Sequence, residues 1–98
     1  MAKIRLSRKA IADLDAIWDH TVETWSEEQA VVYYRQIYTT IQGLNSLPVF
    51  LEKVYDVIKP GLFGFKVGHH IVFYKKNKDG YIWVDRILHE KMDYQRHL

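Results

Sequence analysis

The sequence predicts an α+β fold of order β-α-α-β-β-β, with a helical hairpin packed on one face of a four-stranded, mostly antiparallel sheet. Three observations predict it. The first half holds two stretches with apolar residues at spacings of three and four, each introduced by a serine. The second half holds three runs rich in β-branched and aromatic residues, divided by glycine-containing turns. A segment carrying Pro48 and Pro60 separates the halves.

The elements follow in order. Lys3-Ile4-Arg5-Leu6 alternates polar with apolar side chains as a short half-buried strand does, and Ser7 offers an oxygen suited to capping a helix. From Ala10 the positions Ile11, Leu14, Ile17, Trp18 and Val22 form one face, opposite Asp13, Asp15, Asp19 and Glu23, so the first helix is expected to end near Thr24. Ser26 and Gln29 then have capping-box spacing, with Glu27 and Glu28 in the first turn, where the helix dipole favours them. The second helical face is Ala30, Tyr33, Tyr34, Ile37, Tyr38, Ile41 and Leu44, and Pro48 bars continuation. Residues 48–62 read as a connection with at most a turn of helix. Three strands are predicted after it, Phe63 to Val67, His70 to Lys76 and Tyr81 to His89, turned at Gly68-His69 and at Asp79-Gly80.

Composition limits the chemistry. A chain of 98 residues is one domain, spanning 1–98. It has no cysteine, so it has neither a disulfide framework nor a thiolate metal site. No apolar run approaches the ~18 residues of a membrane span and no signal-peptide core follows Met1, so a cytoplasmic location with no membrane partner is expected. A net charge of +2 is too small for a dedicated nucleic-acid clamp, and no direct sequence-specific nucleic-acid binding is expected. The charge is unevenly spread. Lys75, Lys76, Lys78, Arg86, Lys91 and Arg96 load the last third and the acidic residues load the first, which implies two unlike surfaces.

Both sheet faces read as apolar. Strict alternation sends Ile71 and Phe73 one way and Val72 and Tyr74 the other; on the last strand it sets Ile82, Val84 and Leu88 against Tyr81, Trp83 and Ile87. One helical hairpin covers only one face. Either a partner polypeptide or a second copy covers the other, or the 48–62 connection and the C-terminal tail fold over it.

His70-Ile71-Val72-Phe73-Tyr74, followed beyond Asp79-Gly80 by Arg86-Ile87-Leu88-His89-Glu90-Lys91-Met92-Asp93, resembles the pattern of ParE-type toxins in the RelE/ParE toxin-antitoxin superfamily. Leu6-Ser7-Arg8-Lys9-Ala10 with Asp13-Leu14 and Ile17-Trp18 is similar to that family's first helix, and Trp25-Ser26 to its interhelical turn. The resemblance covers nearly the whole chain. It implies a non-enzymatic toxin that acts on DNA gyrase and is neutralised by a cognate antitoxin, and it admits a toxin dimer within the antitoxin complex. The antitoxin is expected to lay an amphipathic helix in the groove between the two helices and an extended stretch along the sheet. The residues expected to bind target or antitoxin are Leu14, Trp18, Trp25, Tyr34, Tyr38, Arg86, His89, Lys91, Met92 and Arg96.

The RelE branch of the same superfamily cuts messenger RNA on the ribosome, which is the alternative function. RNA cleavage by the 2′-hydroxyl needs a base, an acid and cations for the charged phosphorane. Here the strand Phe63 to Val67 offers Lys66 alone where that branch commonly carries a basic cluster, and His69 and His70 stand where it often has an arginine. Arg86, His89, Lys91 and His97 are the remaining candidates, though Arg86 and His89 differ by an odd number on one strand and should face opposite sides. No cofactor is expected. No metal is expected either, because the adjacent His69 and His70 diverge and lack carboxylates at zinc spacing. A third reading is a binding module that keeps only the antitoxin partner.

Overall fold

The computed structural model of the chain describes residues 3–47 and 51–98. Its elements are β1 (Lys3–Leu6), α1 (Arg8–Thr24), α2 (Glu27–Gln42), a 3-10 turn at Leu44–Ser46, β2 (Lys53–Val54), β3 (Phe63–Val67), β4 (His70–Lys76), β5 (Tyr81–His89) and α3 (Tyr94–His97). The serine caps act as their spacing predicts. Ser7 Oγ accepts from the Ala10 amide at 2.9 Å and Ser26 Oγ from the Gln29 amide at 3.0 Å, each satisfying a donor the helix leaves open. Helix α2 ends sooner than its apolar pattern suggests. Gly43 caps it and Leu44 is buried from the 3-10 turn, while Pro48, the expected stop, lies outside the described residues.

The sheet order is β1-β5-β4-β3-β2, with β1 parallel to β5 and every other pair antiparallel. The sheet therefore has five strands where four were expected. The extra strand comes from the connection, whose Lys53 and Val54 pair with Gly64 and Phe63. Two exposed residues are too few to print an alternating pattern. Glu52 anchors the same segment. Its carboxylate accepts from the hydroxyl of the fully buried Tyr74, and the Lys76 ammonium lies 2.6 Å away. Burial, and then the Glu52 carboxylate, push the Tyr74 phenol pKa upward, so it remains a donor.

Two apolar cores lie on opposite sides of the sheet. On the helical side, Ala10, Leu14, Ile17, Ile37, Ile41 and Leu44 meet Val72, Tyr74, Ile82, Val84 and Ile87. On the other side, Leu62, Ile71, Phe73 and Leu88 are covered by Tyr55 and Ile58 of the connection and by Tyr94 and Leu98 of the tail. The second face around Phe73 is thus closed within the chain, not left for a partner. Three aromatic rings close it, with Tyr55 edge-on to Phe73 at 5.0 Å between centroids and Tyr94 at 5.1 Å from Phe73.

Strict alternation fails on β5. Ile87 joins Ile82 and Val84 on the helical side and Leu88 faces the tail, the reverse of the expected assignment for these two residues. The cause is a bulge: Arg86 pairs with Phe73 but Val84 pairs with Tyr74, so Asp85 is an extra residue on β5. One surplus residue turns every later side chain to the opposite face.

The connection lies close against the sheet at Gly64, where a Cβ would be 2.4 Å from Tyr55 Cε2. Gly64→Ala should displace the Tyr55 ring, open the second core and lower the unfolding free energy by about 1–3 kcal/mol. Denaturant unfolding together with near-ultraviolet dichroism of the aromatic cluster checks this; a variant as stable as the parent with unchanged aromatic signal would contradict it.

Candidate functional site

The residues singled out in the sequence fall into three separate places. The first is a groove of about 290 Å³ where the helical hairpin meets β1, lined by Ile4, Leu6, Ile11, Leu14, Asp15, Tyr34, Tyr38, Ile41 and Gln42. It exists because α1 and α2 direct Leu14 and Ile41 into the core while Ile11 and Tyr38, further round each helix, stay 51% and 52% exposed. Trp18 packs edge-on against Tyr34 at 6.0 Å and supports one wall. Tyr38, which its spacing puts on the second helical face, is thus a surface residue. Such a wall of half-exposed apolar and tyrosyl side chains suits a helix or strand with its own apolar face.

The second place is a cleft of two adjoining lobes, about 330 Å³ and about 320 Å³, that share His20, Thr21, His70 and His89. The Gly68-His69 turn brings the ends of β3 and β4 beneath the tip of the helical hairpin, and the β4-β5 register sets His70 beside His89 with ring centroids 5.3 Å apart. Tyr33 lies against this turn. A Cβ on Gly68 would be 2.5 Å from its ring, and the positive φ of 58° at Gly68 also favours glycine.

Three contacts converge on the Tyr33 hydroxyl: the His69 amide donates to it at 3.1 Å, His70 Nδ1 lies at 2.6 Å, and the Val67 carbonyl at 3.3 Å. All three are satisfied when His70 carries its proton on Nδ1 and the hydroxyl donates to Val67, which leaves His70 Nε2 with a lone pair. Burial first, then the neighbouring His89, His69 and His20, lower the His70 pKa from 6.5 to about 4, so this ring is neutral near pH 7. His69 points outward to Glu90 at 3.0 Å, and Lys66 reaches the same carboxylate at 3.4 Å. The His69 contact, followed by Lys66, lowers the Glu90 pKa. Trp25, 75% exposed, stands on the rim of one lobe and Met92 on the rim of the other. Among the described residues, no lysine or arginine lines either lobe.

The third place is a polar node. Asp13 of α1 accepts from Arg86 Nε at 2.8 Å, from Arg86 Nη2 at 2.9 Å and from the Ile87 amide at 2.9 Å, while Arg86 Nη1 donates to the His97 carbonyl at 2.9 Å. The two side chains are only 15% and 14% exposed. Hydrogen bonding to Asp13 raises the Arg86 pKa, so the charge is permanent and already answered inside the chain. Lys91 and Arg96 are exposed on and around the tail, and His89 Nδ1 accepts from the Lys91 amide at 3.2 Å.

The ten expected contact residues are therefore not one patch. Leu14, Trp18, Tyr34 and Tyr38 belong to the hairpin groove, Trp25, His89 and Met92 to the histidine cleft, and Lys91 and Arg96 to the tail, while Arg86 is engaged within the fold. His20 and Tyr33 of the cleft were not singled out as site residues. They lie on different helices at a separation with no local signature, and only the tertiary packing of the hairpin on the β3-β4 turn joins them. Among the described residues, no group of histidine and acidic side chains has the arrangement of a metal site.

Comparison with known proteins gives a consistent set of likenesses. The family described as ParE toxin of type II toxin-antitoxin system, parDE, matches residues 4–94. Toxin ParE1 of Mycobacterium tuberculosis (strain H37Rv) is 37% identical over 93 residues, covering 95% of this chain and 94% of that protein. Toxin ParE1 of Caulobacter vibrioides is 34% identical over 98 residues, covering 100% of this chain and 99% of that protein. Among solved structures, the chromosomal ParDE toxin-antitoxin system from P. aeruginosa aligns with a TM-score of 0.70 at 26% identity, covering 91% of this chain and 96% of that chain. The RelBE2 toxin-antitoxin complex from Mycobacterium tuberculosis shares the fold, with a TM-score of 0.54 at 16% identity, covering 90% of this chain and 96% of that chain.

Two outcomes test this geometry. Asp13→Ala strands a half-buried guanidinium and the Ile87 amide, and should lower stability by about 2–4 kcal/mol; a double-mutant cycle with Arg86→Ala should return a coupling of about 1–3 kcal/mol. Additive single effects would show the pair to be incidental. For His70 the folded state favours the neutral ring, so the unfolded chain takes up the proton first as pH falls. Its contribution to stability is complete above the unfolded pKa of 6.5 and is lost as pH falls toward about 4. Wild-type stability should therefore drop more steeply than that of His70→Asn between about pH 7 and about pH 4.5, and parallel curves would exclude a buried neutral His70.

Proposed function

The chain belongs to the ParE toxin family of type II toxin-antitoxin systems, and on that premise we propose that it binds DNA gyrase, stalls it on cleaved DNA without catalysing a reaction of its own, and is silenced by a cognate antitoxin. The observation that carries the non-enzymatic reading is the charge state of the histidine cleft. A phosphorane needs fixed cations around it. The cleft presents neutral His70 and no lysine or arginine, Lys66 is paired with Glu90, and Arg86 is bound to Asp13. Messenger cleavage is the second reading, and the imidazoles of His70 and His89 at 5.3 Å are what favour it.

The antitoxin seat in this proposal is the hairpin groove. Its apolar floor and the exposed Ile11 and Tyr38 match an amphipathic helix, and β1 is the terminal strand of the sheet among the described residues, which leaves an edge for an extended segment. The related P. aeruginosa structure is of a ParDE toxin-antitoxin system, which supports an antitoxin partner for this chain. The gyrase contact is placed on the exposed Trp25, on Met92 and on the tail cations Lys91 and Arg96, away from that groove. No helix among the described residues is long and apolar enough to cross a membrane, and the proposed site of action is the cytoplasm, where gyrase works.

Purified chain should inhibit gyrase supercoiling and accumulate cleaved DNA, while messenger RNA in a translating extract stays intact. The opposite pair of results would transfer the assignment to the nuclease reading. Trp25→Ala should weaken gyrase inhibition about tenfold or more with stability unchanged within about 0.5 kcal/mol, because the indole is a surface group. Tyr38→Asp should weaken antitoxin binding about a hundredfold and leave gyrase inhibition in place, and equal loss of both activities would refute the division into two surfaces.

A further inference from the structure

The tail and the connection cover only part of the second sheet face. Beyond Phe73 and Leu88, toward the Lys76–Tyr81 turn, the same face carries Lys75 of β4, Tyr81 and Trp83 of β5, and Lys3 and Arg5 of β1. Their side follows from the register: Ile4 and Leu6 pair with Ile82 and Val84 on the helical side, so Arg5 opposite Trp83, and Trp83 opposite Lys75, point away from the helices. This makes a cross-strand row of cation, indole, cation at the strand spacing of about 4.8 Å. Beside it the Arg5 guanidinium lies 4.7 Å, and the Lys3 ammonium 5.4 Å, from the centre of the Tyr81 ring.

Charge on this sheet is sorted by position. Lys76, Lys66 and Arg86 are each paired with a carboxylate, from Glu52, Glu90 and Asp13. Among the described residues no carboxylate lies within ion-pair distance of Lys3, Arg5, Lys75 or Lys78. Of the acids nearest along the chain, Asp79 accepts from the Tyr81 amide at 3.0 Å and Asp85 is paired with Lys59 at 3.2 Å. Like charges gathered around an aromatic ring repel one another unless a polyanion sits across them.

We infer that this face binds single-stranded nucleic acid without sequence preference, with phosphates on Lys3, Arg5 and Lys75 and a base stacked on Trp83. A strand face with a half-buried aromatic platform flanked by cations matches that ligand, since every base has a π-face and every linkage a charge. An acidic polypeptide fits less well. It would pair along a sheet edge through its main chain and leave the indole unused. Tyr81 supports the array instead of stacking, because Arg5 and Lys3 already lie against its ring. The inference goes beyond the gyrase reading and is independent of it.

The test is fluorescence anisotropy of a labelled twelve-nucleotide oligothymidylate with the purified full chain and no gyrase, between about 20 mM and about 150 mM salt. Three phosphate contacts predict a log–log salt slope of about −2, reduced in magnitude by about 0.7 in each of Arg5→Gln and Lys75→Gln. Those variants should also bind at least about fivefold more weakly at the lower salt. Trp83→Leu should weaken binding by about fivefold or more with the slope unchanged, and Trp83→Phe should restore most of it. Arg35→Gln, which removes an exposed cation on α2, should change nothing. Oligouridylate in the same assay distinguishes an RNA from a DNA preference, and either outcome is consistent with the site. No binding at the lower salt, equal weakening by Arg35→Gln, or tighter binding of a polyglutamate peptide than of the oligonucleotides would overturn the inference. A failure to inhibit gyrase would leave these readings untouched, so the two proposals fail separately.

Discussion

The carboxylate of Asp13 is the fixed point on which the remainder of the molecule depends. It receives both prongs of the Arg86 guanidinium and the amide of Ile87, and through Arg86 it reaches the carbonyl of His97. One acidic side chain on the first helix thereby sets that helix over β5, holds the strand just past its bulge, and fastens the tail that closes the second core. A partly buried ion pair adds little to stability beyond what a matched apolar pair would add, but its fork geometry tolerates one arrangement only. Its contribution here is registry.

The same interaction decides what the histidine cleft is. With Arg86 committed to Asp13 and Lys66 drawn to Glu90, the cleft contains imidazoles and aromatic rings without fixed positive charge. Lys3, Arg5 and Lys75, which have no carboxylate partner among the described residues, lie on the far side of the sheet near the β4-β5 turn, and Ile11 and Tyr38 stay exposed on the helical hairpin. Three surfaces with distinct chemistry on 98 residues suit a molecule whose work is to contact other macromolecules.

Much of this was legible in the sequence. The bounds of β3, β4 and β5 agree with those expected because glycine turns separate runs too short and too apolar for helix, and Ser7 and Ser26 mark where α1 and α2 begin. The parallel placement of β1 and the bulge were not legible, because each depends on pairing between distant residues. Asp85 looks like an ordinary strand residue until its partner strand is known. Lys53 and Val54 carry no alternation, and nothing in the spacing of Tyr33, His70 and His89 announces that they meet. Of the two covers expected for the second sheet face, the connection and the tail are the one found; the spacing could not choose between them, because Tyr55, Ile58, Tyr94 and Leu98 are scattered through segments with no periodicity.

The bulge at Asp85 has a consequence for how related chains should be compared. Because a single supernumerary position separates what points inward before it from what points inward after it, length carries information across this strand, independent of residue identity. Losing or gaining one codon between Val84 and Ile87 would exchange Ile87 and Leu88 between the two cores while leaving composition almost untouched. An alignment that slides a gap through this stretch to improve matching letters would therefore describe a differently wired protein.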